Sequence, residues 1–212
     1  MAASGQATAR ADSRDPGSVR APLFQKLIAR IESGGRWVVL DLGPPRSATI
    51  ELLSSFRCRL EIADMTRRLE QLDRDPATID PARRVQSLLP RTGTDRTDIV
   101  LCWDLFNYLQ PPAIVALMNA LGHRSNTRVL VHAMIYYSSP GMPARPTCWD
   151  PDGPGHLLME SHSGQERPAP RYAPKSLLKF MPGWKVEQAM LLGNGMQEYL
   201  LRLDPGATSP TG

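Results

Sequence analysis

Residues 37–47 read Trp37-Val38-Val39-Leu40-Asp41-Leu42-Gly43-Pro44-Pro45-Arg46-Ser47. The first four form a short unbroken apolar run, as a strand buried on both faces requires. The run ends in the turn Asp41-Leu42-Gly43-Pro44-Pro45. Ser47 then stands where it can cap a helix over Ala48 to Phe56, with Glu51 near the first turns. A strand feeding a helix through a tight turn opens many parallel α/β sheets. Free N–H groups at such a turn face polar ligand atoms.

The pattern continues on both sides. Upstream, Pro22 to Ser33 places Leu23, Leu27, Ile28 and Ile31 on one helical face, and Gly34-Gly35 ends it. Downstream, Cys58 to Ala63 reads as a second strand ending at Asp64, and Thr66 to Leu72 as a helix. Residues 80–90 give no clear pattern. Asp98 to Trp103 is a strand, Pro111 to Leu121 a helix begun by prolines, and Thr127 to Ile135 another strand. Such alternation predicts a doubly wound, mostly parallel sheet with helices on both faces. Pro174 to Phe180 is a short helix. Trp184 to Leu192 and Met196 to Leu203 flank Gly193-Asn194-Gly195, a signal for a C-terminal antiparallel hairpin.

Residues 138–172 break this rhythm. They are rich in Pro and Gly and read as a long loop or lid. With 212 residues, the chain suits one domain, residues 21–203, between disordered tails at 1–20 and 204–212. The first 20 residues lack the apolar centre of a secretory signal, and no apolar run is long enough to span a membrane. Three separated cysteines, Cys58, Cys102 and Cys148, argue against a disulfide framework and for a reducing, cytoplasmic setting. The net charge of +4 is carried mostly by arginine, which suits phosphate. These arginines are dispersed among acids, however, and this disfavours a nucleic-acid binder.

Ligands in open parallel sheets bind at the carboxyl ends of the strands, beside the switch point. The turn at 41–47, Asp64, and the segment Asp104-Leu105-Phe106-Asn107-Tyr108-Leu109 converge there, with Phe106 and Tyr108 as walls. Tyr136 and Tyr137 follow the next strand; they suit either an acceptor or aromatic packing. Asp64 suits a ribose, or alternatively the cap of the helix from Thr66. His132, inside an apolar strand, suits a core histidine. Cys148, Asp150, Asp152, His156 and His162 match no common zinc spacing, so no metal is expected.

The order of these segments resembles the class I S-adenosylmethionine-dependent methyltransferases. Val38 to Gly43 is similar to their first motif, and Leu60 to Asp64 to their second, acidic one. Asp98 to Leu101 with Asp104 to Leu109 is similar to their central strand and following loop. Tyr172 to Val186 and Met196 to Leu203 are similar to their last helix, sixth strand and antiparallel seventh strand. The resemblance implies S-adenosylmethionine as cofactor, with Asp41, Gly43, Pro44 and Ser47 of the turn, Asp64 and Asp104 around it. Phe106, Tyr108, Tyr136 and Tyr137 would then border the acceptor, a small molecule or a protein side chain. No catalytic base is assigned, because only some acceptors need one.

Two departures support an alternative. Pro45 and Ser47 occupy the places of the family's later glycines, and each proline removes a donor and fixes φ. No third strand carries an acid for the adenine; only Ser87 and Asp80 stand near. The alternative is a catalytically inactive methyltransferase-like scaffold that partners another enzyme or a second copy of itself.

Overall fold

The computed structural model describes residues 17–69, 80–91, 93, 95–160, 164–204 and 206. In chain order its elements are β1 (Ser18–Arg20), α1 (Pro22–Glu32), β2 (Trp37–Asp41), α2 (Ser47–Ser54), β3 (Cys58–Ile62), α3 (Pro81–Leu88), β4 (Thr97–Trp103), α4 (Pro111–Arg124), β5 (Ser125–Tyr136), β6 (Gly141–Pro143), β7 (Cys148–Pro151), β8 (His156–Glu160), β9 (Glu166–Pro168), α5 (Pro174–Leu178), β10 (Trp184–Leu191) and β11 (Met196–Leu203). Single 3₁₀ turns lie at Met65–Arg68 and Leu105–Tyr108.

The central sheet runs β3-β2-β4-β5-β11-β10. Its first four strands are parallel, and β11 pairs antiparallel with both β5 and β10. The parallel sheet is thus closed at one side by an antiparallel hairpin, the order of elements that the sequence resemblance to class I methyltransferases implies. Alternation along the strands divides the core into two layers. On β4, Val100 and Cys102 face α3 and α4, whereas Ile99, Leu101 and Trp103 face α1. The α4 stripe Ala113, Ile114, Leu117, Met118 and Leu121 fills the first layer. Leu23, Phe24, Leu27 and Ile31 of α1 fill the second.

Helix α1 starts without a capping side chain of its own, since Ala21 precedes Pro22. The fully buried Glu198 of β11 performs that role. Its carboxylate accepts the N–H groups of Leu23 at 2.9 Å and Phe24 at 2.7 Å. Negative charge at a helix start is favourable, so one side chain both satisfies two free donors and docks α1 on the sheet.

Several expectations need correcting. Helix α2 begins at Ser47 rather than Ala48; Arg46 holds the capping position, and no side chain caps it. The helix read from Thr66 begins as the 3₁₀ turn Met65–Arg68 and passes into α-helical backbone at Leu69; residues 70–72 lie outside the described residues. Residues 80–90 form α3, capped by Asp80, whose Oδ1 accepts Ala82 N–H at 3.0 Å. Asp80 is therefore a helix cap. Ser87 Oγ donates back to the Arg84 carbonyl. Most of residues 1–20 lie outside the described residues, but Ser18–Arg20 is a strand, paired with β8.

The largest difference is at residues 138–172. They form short strands: β8 pairs with β1 and β7, and β6 pairs with β9. Pro143, Pro151 and Pro168 all lie on edge strands, where a missing N–H can be tolerated. Gly153 and Gly155, at φ 77° and 70°, turn the chain between β7 and β8. No helix among the described residues is long and apolar enough to cross a membrane.

Candidate functional site

A pocket of about 740 Å³ opens at the carboxyl ends of the parallel strands. Pro44, Pro45 and Arg46 wall it after β2, Thr66 and Arg67 after β3, and Tyr108 after β4. Ala144 to Cys148 and Arg167 close it from the β6–β9 segment. Strand β2 continues outward to β3, while β4 lies on its other side, so the pocket stands at the switch point of the sheet.

Beside the pocket, the floor of the first turn is already filled. Asp41 is buried, and its Oδ1 accepts Gly43 N–H at 2.8 Å and Trp103 Nε1–H at 2.7 Å. Burial outweighs these two bonds and raises its pKa to about 6. A Cβ built on Gly43 would lie 2.8 Å from the Trp103 ring. The indole thus occupies the ground directly over Gly43. Trp103 adopts φ 50°, left-handed backbone that a bulky side chain seldom takes, where β4 shifts its register against β5. Its ring packs against Phe24 and, edge-on, His132. His132 in turn lies 2.8 Å from Glu198 through Nε2.

Asp64 also has left-handed backbone, at φ 42°. It makes no backbone cap. Its Oδ1 accepts the Thr66 hydroxyl at 3.0 Å, and Arg67 approaches its other oxygen at 3.5 Å. Its side chain keeps 21% of its exposure; Asp64 itself is not among the residues that line the pocket, whereas its neighbours Thr66 and Arg67 are.

The remaining sequence candidates separate. Pro44 and Tyr108 line the pocket. The Tyr108 hydroxyl lies 3.0 Å from the Pro143 carbonyl and 2.9 Å from that of Arg145; burial raises its pKa. Ser47 is exposed on α2. Phe106 is fully buried in the α4 layer, because the 3₁₀ turn directs it inward, and it is not among the residues that line the pocket. Tyr137 is exposed away from the lining, and its carbonyl accepts from Arg171. Asp104 and Tyr136 are buried behind the lining. Asp104 Oδ2 accepts Thr147 N–H at 3.0 Å, and burial raises its pKa to about 6.

The polar side chains of Asp104, Tyr136, Thr147 and Trp149 cluster behind the lining, where those of Thr147 and Trp149 face the Asp104 carboxyl and Thr147 also faces Tyr136. Sequence reasoning missed Trp103, Glu198, Thr147, Arg145 and Arg167. Only Trp103 carried a signal, an aromatic residue at the end of the central strand. Among the described residues no three potential metal ligands converge. Asp150 instead binds Arg46.

The sequence matches no protein-family model and no curated protein. In structure it is similar to the glycopeptide N-methyltransferase MtfA, at 12% identity over 86% of this chain and 90% of that one, with a TM-score of 0.45. It is similar to an S-adenosylmethionine-dependent methyltransferase from Clostridium acetobutylicum, at 12% identity over 85% and 89% of the two chains and a TM-score of 0.48. It is also similar to the mitomycin 7-O-methyltransferase MmcR, at 15% identity over 85% and 52%, with a TM-score of 0.45.

Proposed function

We propose that this protein is an S-adenosylmethionine-dependent methyltransferase of the class I type, acting on a small molecule or a protein side chain. The observation that carries this reading is the 740 Å³ pocket at the switch point, between the Pro44–Arg46 turn and the Thr66–Arg67 end of β3. Its size lies within the range of cofactor and ligand sites. Asp64 would hold the ribose hydroxyls at the β3 end. Thr66, Arg67 and Leu69 line the pocket at that end. At Gly43 there is no room for a methionine arm while the Trp103 indole stands on Asp41. Binding of the whole cofactor therefore requires the indole to swing aside. When bound, the cofactor supplies an electrophilic methyl group on sulfur; the protein's part is to align an acceptor and exclude water.

The same Trp103 contact supports a second reading, a catalytically inactive binding or scaffold protein. Pro44 and Pro45 add to it, since neither offers an N–H to a ligand. Calorimetric titration with S-adenosylmethionine and S-adenosylhomocysteine separates the two. Asp64→Asn is the matched variant, because asparagine tolerates left-handed backbone. Saturable binding to the unmodified protein, weakened in Asp64→Asn, supports the enzyme. Binding that emerges only in Trp103→Ala identifies a site closed by its own tryptophan. No binding in either protein supports the scaffold.

A further inference from the structure

Four guanidinium groups, those of Arg46, Arg67, Arg145 and Arg167, line the pocket, and no acidic side chain is among its walls. The nearby acids are engaged elsewhere. Asp150 and Glu160 hold Arg46, Asp64 faces Arg67, and Asp104 is buried behind Thr147. Among the described residues, Arg145 and Arg167 form no ion pair. Both are exposed, and both are positioned by Tyr108. Its hydroxyl bonds the Arg145 carbonyl, and its ring carries the Arg167 guanidinium 5.4 Å from its centroid. Thr147, 2% exposed, backs this part of the wall: its N–H donates to Asp104 Oδ2, and its hydroxyl is turned inward to the Asp104 and Tyr136 side chains. Pro44, Pro45, Leu69, Tyr108 and Pro146 supply apolar wall around these groups.

We infer that the pocket takes a small organic anion, an apolar body bearing one carboxylate or phosphate group, bound by Arg145 and Arg167. The inference rests on the reading above in taking this pocket as the ligand site, and it names the class of acceptor. Two guanidinium groups that form no ion pair among the described residues offer directional donors to one anionic group. An anionic acceptor would also offset the repulsion between these guanidinium groups and a sulfonium in the same pocket.

The test is titration, in dilute buffer, with three probes of matched body: phenyl phosphate, benzoate and benzyl alcohol. The two anions are expected to bind and the alcohol not. Arg145→Gln and Arg167→Gln should each weaken the anions at least about ten-fold. Arg128→Gln, at the other end of β5, should leave them unchanged. Preference for phenyl phosphate over benzoate assigns a phosphate ligand, and the reverse assigns a carboxylate. Equal binding of all three probes, no anion binding at millimolar concentration, or equal loss in Arg128→Gln would overturn the inference. S-adenosylmethionine is titrated into the same proteins. Anion binding without cofactor binding leaves the inference standing while the methyltransferase reading fails. Cofactor binding without anion binding does the opposite.

Discussion

The indole N–H of Trp103 donates to Asp41 Oδ1 at 2.7 Å, and the same ring stands 2.8 Å from where a Cβ on Gly43 would lie. The turn after β2, the ligand-facing part of such folds, is therefore packed by a side chain from the neighbouring strand. Gly43→Ala should cost about 1–3 kcal/mol by overpacking. In a Trp103→Phe background the smaller ring recedes, and the cost should shrink. Urea denaturation of the four proteins of the double-mutant cycle measures this. Strictly additive costs would mean that the two side chains do not meet.

Burial raises the pKa of Asp104 from 3.8 to about 6. A raised carboxyl keeps its proton in the folded state after the unfolded chain has lost it. Stability from this group is thus fully present below about pH 4 and falls as pH rises to about 6. Two pH units correspond to about 3 kcal/mol. Asp104→Asn, which can still accept Thr147 N–H, should remove that loss. The variant should match the parent near pH 4 and exceed its urea midpoint at pH 7.5. Parallel midpoint profiles for the two proteins would show that Asp104 does not titrate in this window.

Glu198 accepts Leu23 N–H, Phe24 N–H and the His132 ring within 2.7–2.9 Å, with no exposure to solvent. Glu198→Ala strips two helix donors and one imidazole of their partner at once. A loss of about 3–5 kcal/mol is expected, the range for breaking a buried charged network. Glu198→Gln, which keeps one acceptor oxygen, should lose less. Chemical denaturation reads both, and an unchanged midpoint in Glu198→Ala would remove the tertiary cap.

Arg46 joins α2 to the β7–β8 hairpin through Asp150, with Nε 2.9 Å from Oδ1, and through Glu160 at 2.7 Å. These groups are partly exposed, so Arg46→Ala should cost only about 1 kcal/mol globally. The effect should be local. Amide exchange should quicken at Asp150 and Leu158 while β4 and β5 stay protected. Uniform acceleration across the sheet would contradict a role confined to the hairpin.

Asp64 holds φ 42°. Asp64→Ala should destabilise by about 1 kcal/mol, whereas Asp64→Gly should be neutral or stabilising. Thermal melts distinguish them. Equal losses in both variants would place the cost in the lost Thr66 and Arg67 contacts instead.

Local chemistry made much of the scaffold legible. The apolar run at Trp37–Leu40, the prolines at Pro22 and Pro111, and Gly193-Asn194-Gly195 fix strand, helix starts and hairpin within a few residues. Their order already implies a parallel sheet closed by an antiparallel pair. Asp64 and the 41–47 turn fall at the strand ends for the same reason. The 138–172 strands were not legible. Three- to five-residue pairings broken by proline carry too little alternation to register, and their stability comes from partners distant in sequence, such as Ser18–Arg20.

What the chain by itself determined is the sequence of elements, because periodicity and turn chemistry act over a few residues. Tertiary structure alone decided what occupies the site. It placed Trp103 over Gly43, joined Glu198 to the start of α1 across 175 residues, turned Phe106 inward and brought Arg145, Arg167 and Thr147 opposite the Pro44–Arg46 turn. Those are contacts between surfaces formed only once the sheet is assembled. Their energies depend on burial and distance, which no short stretch of sequence contains.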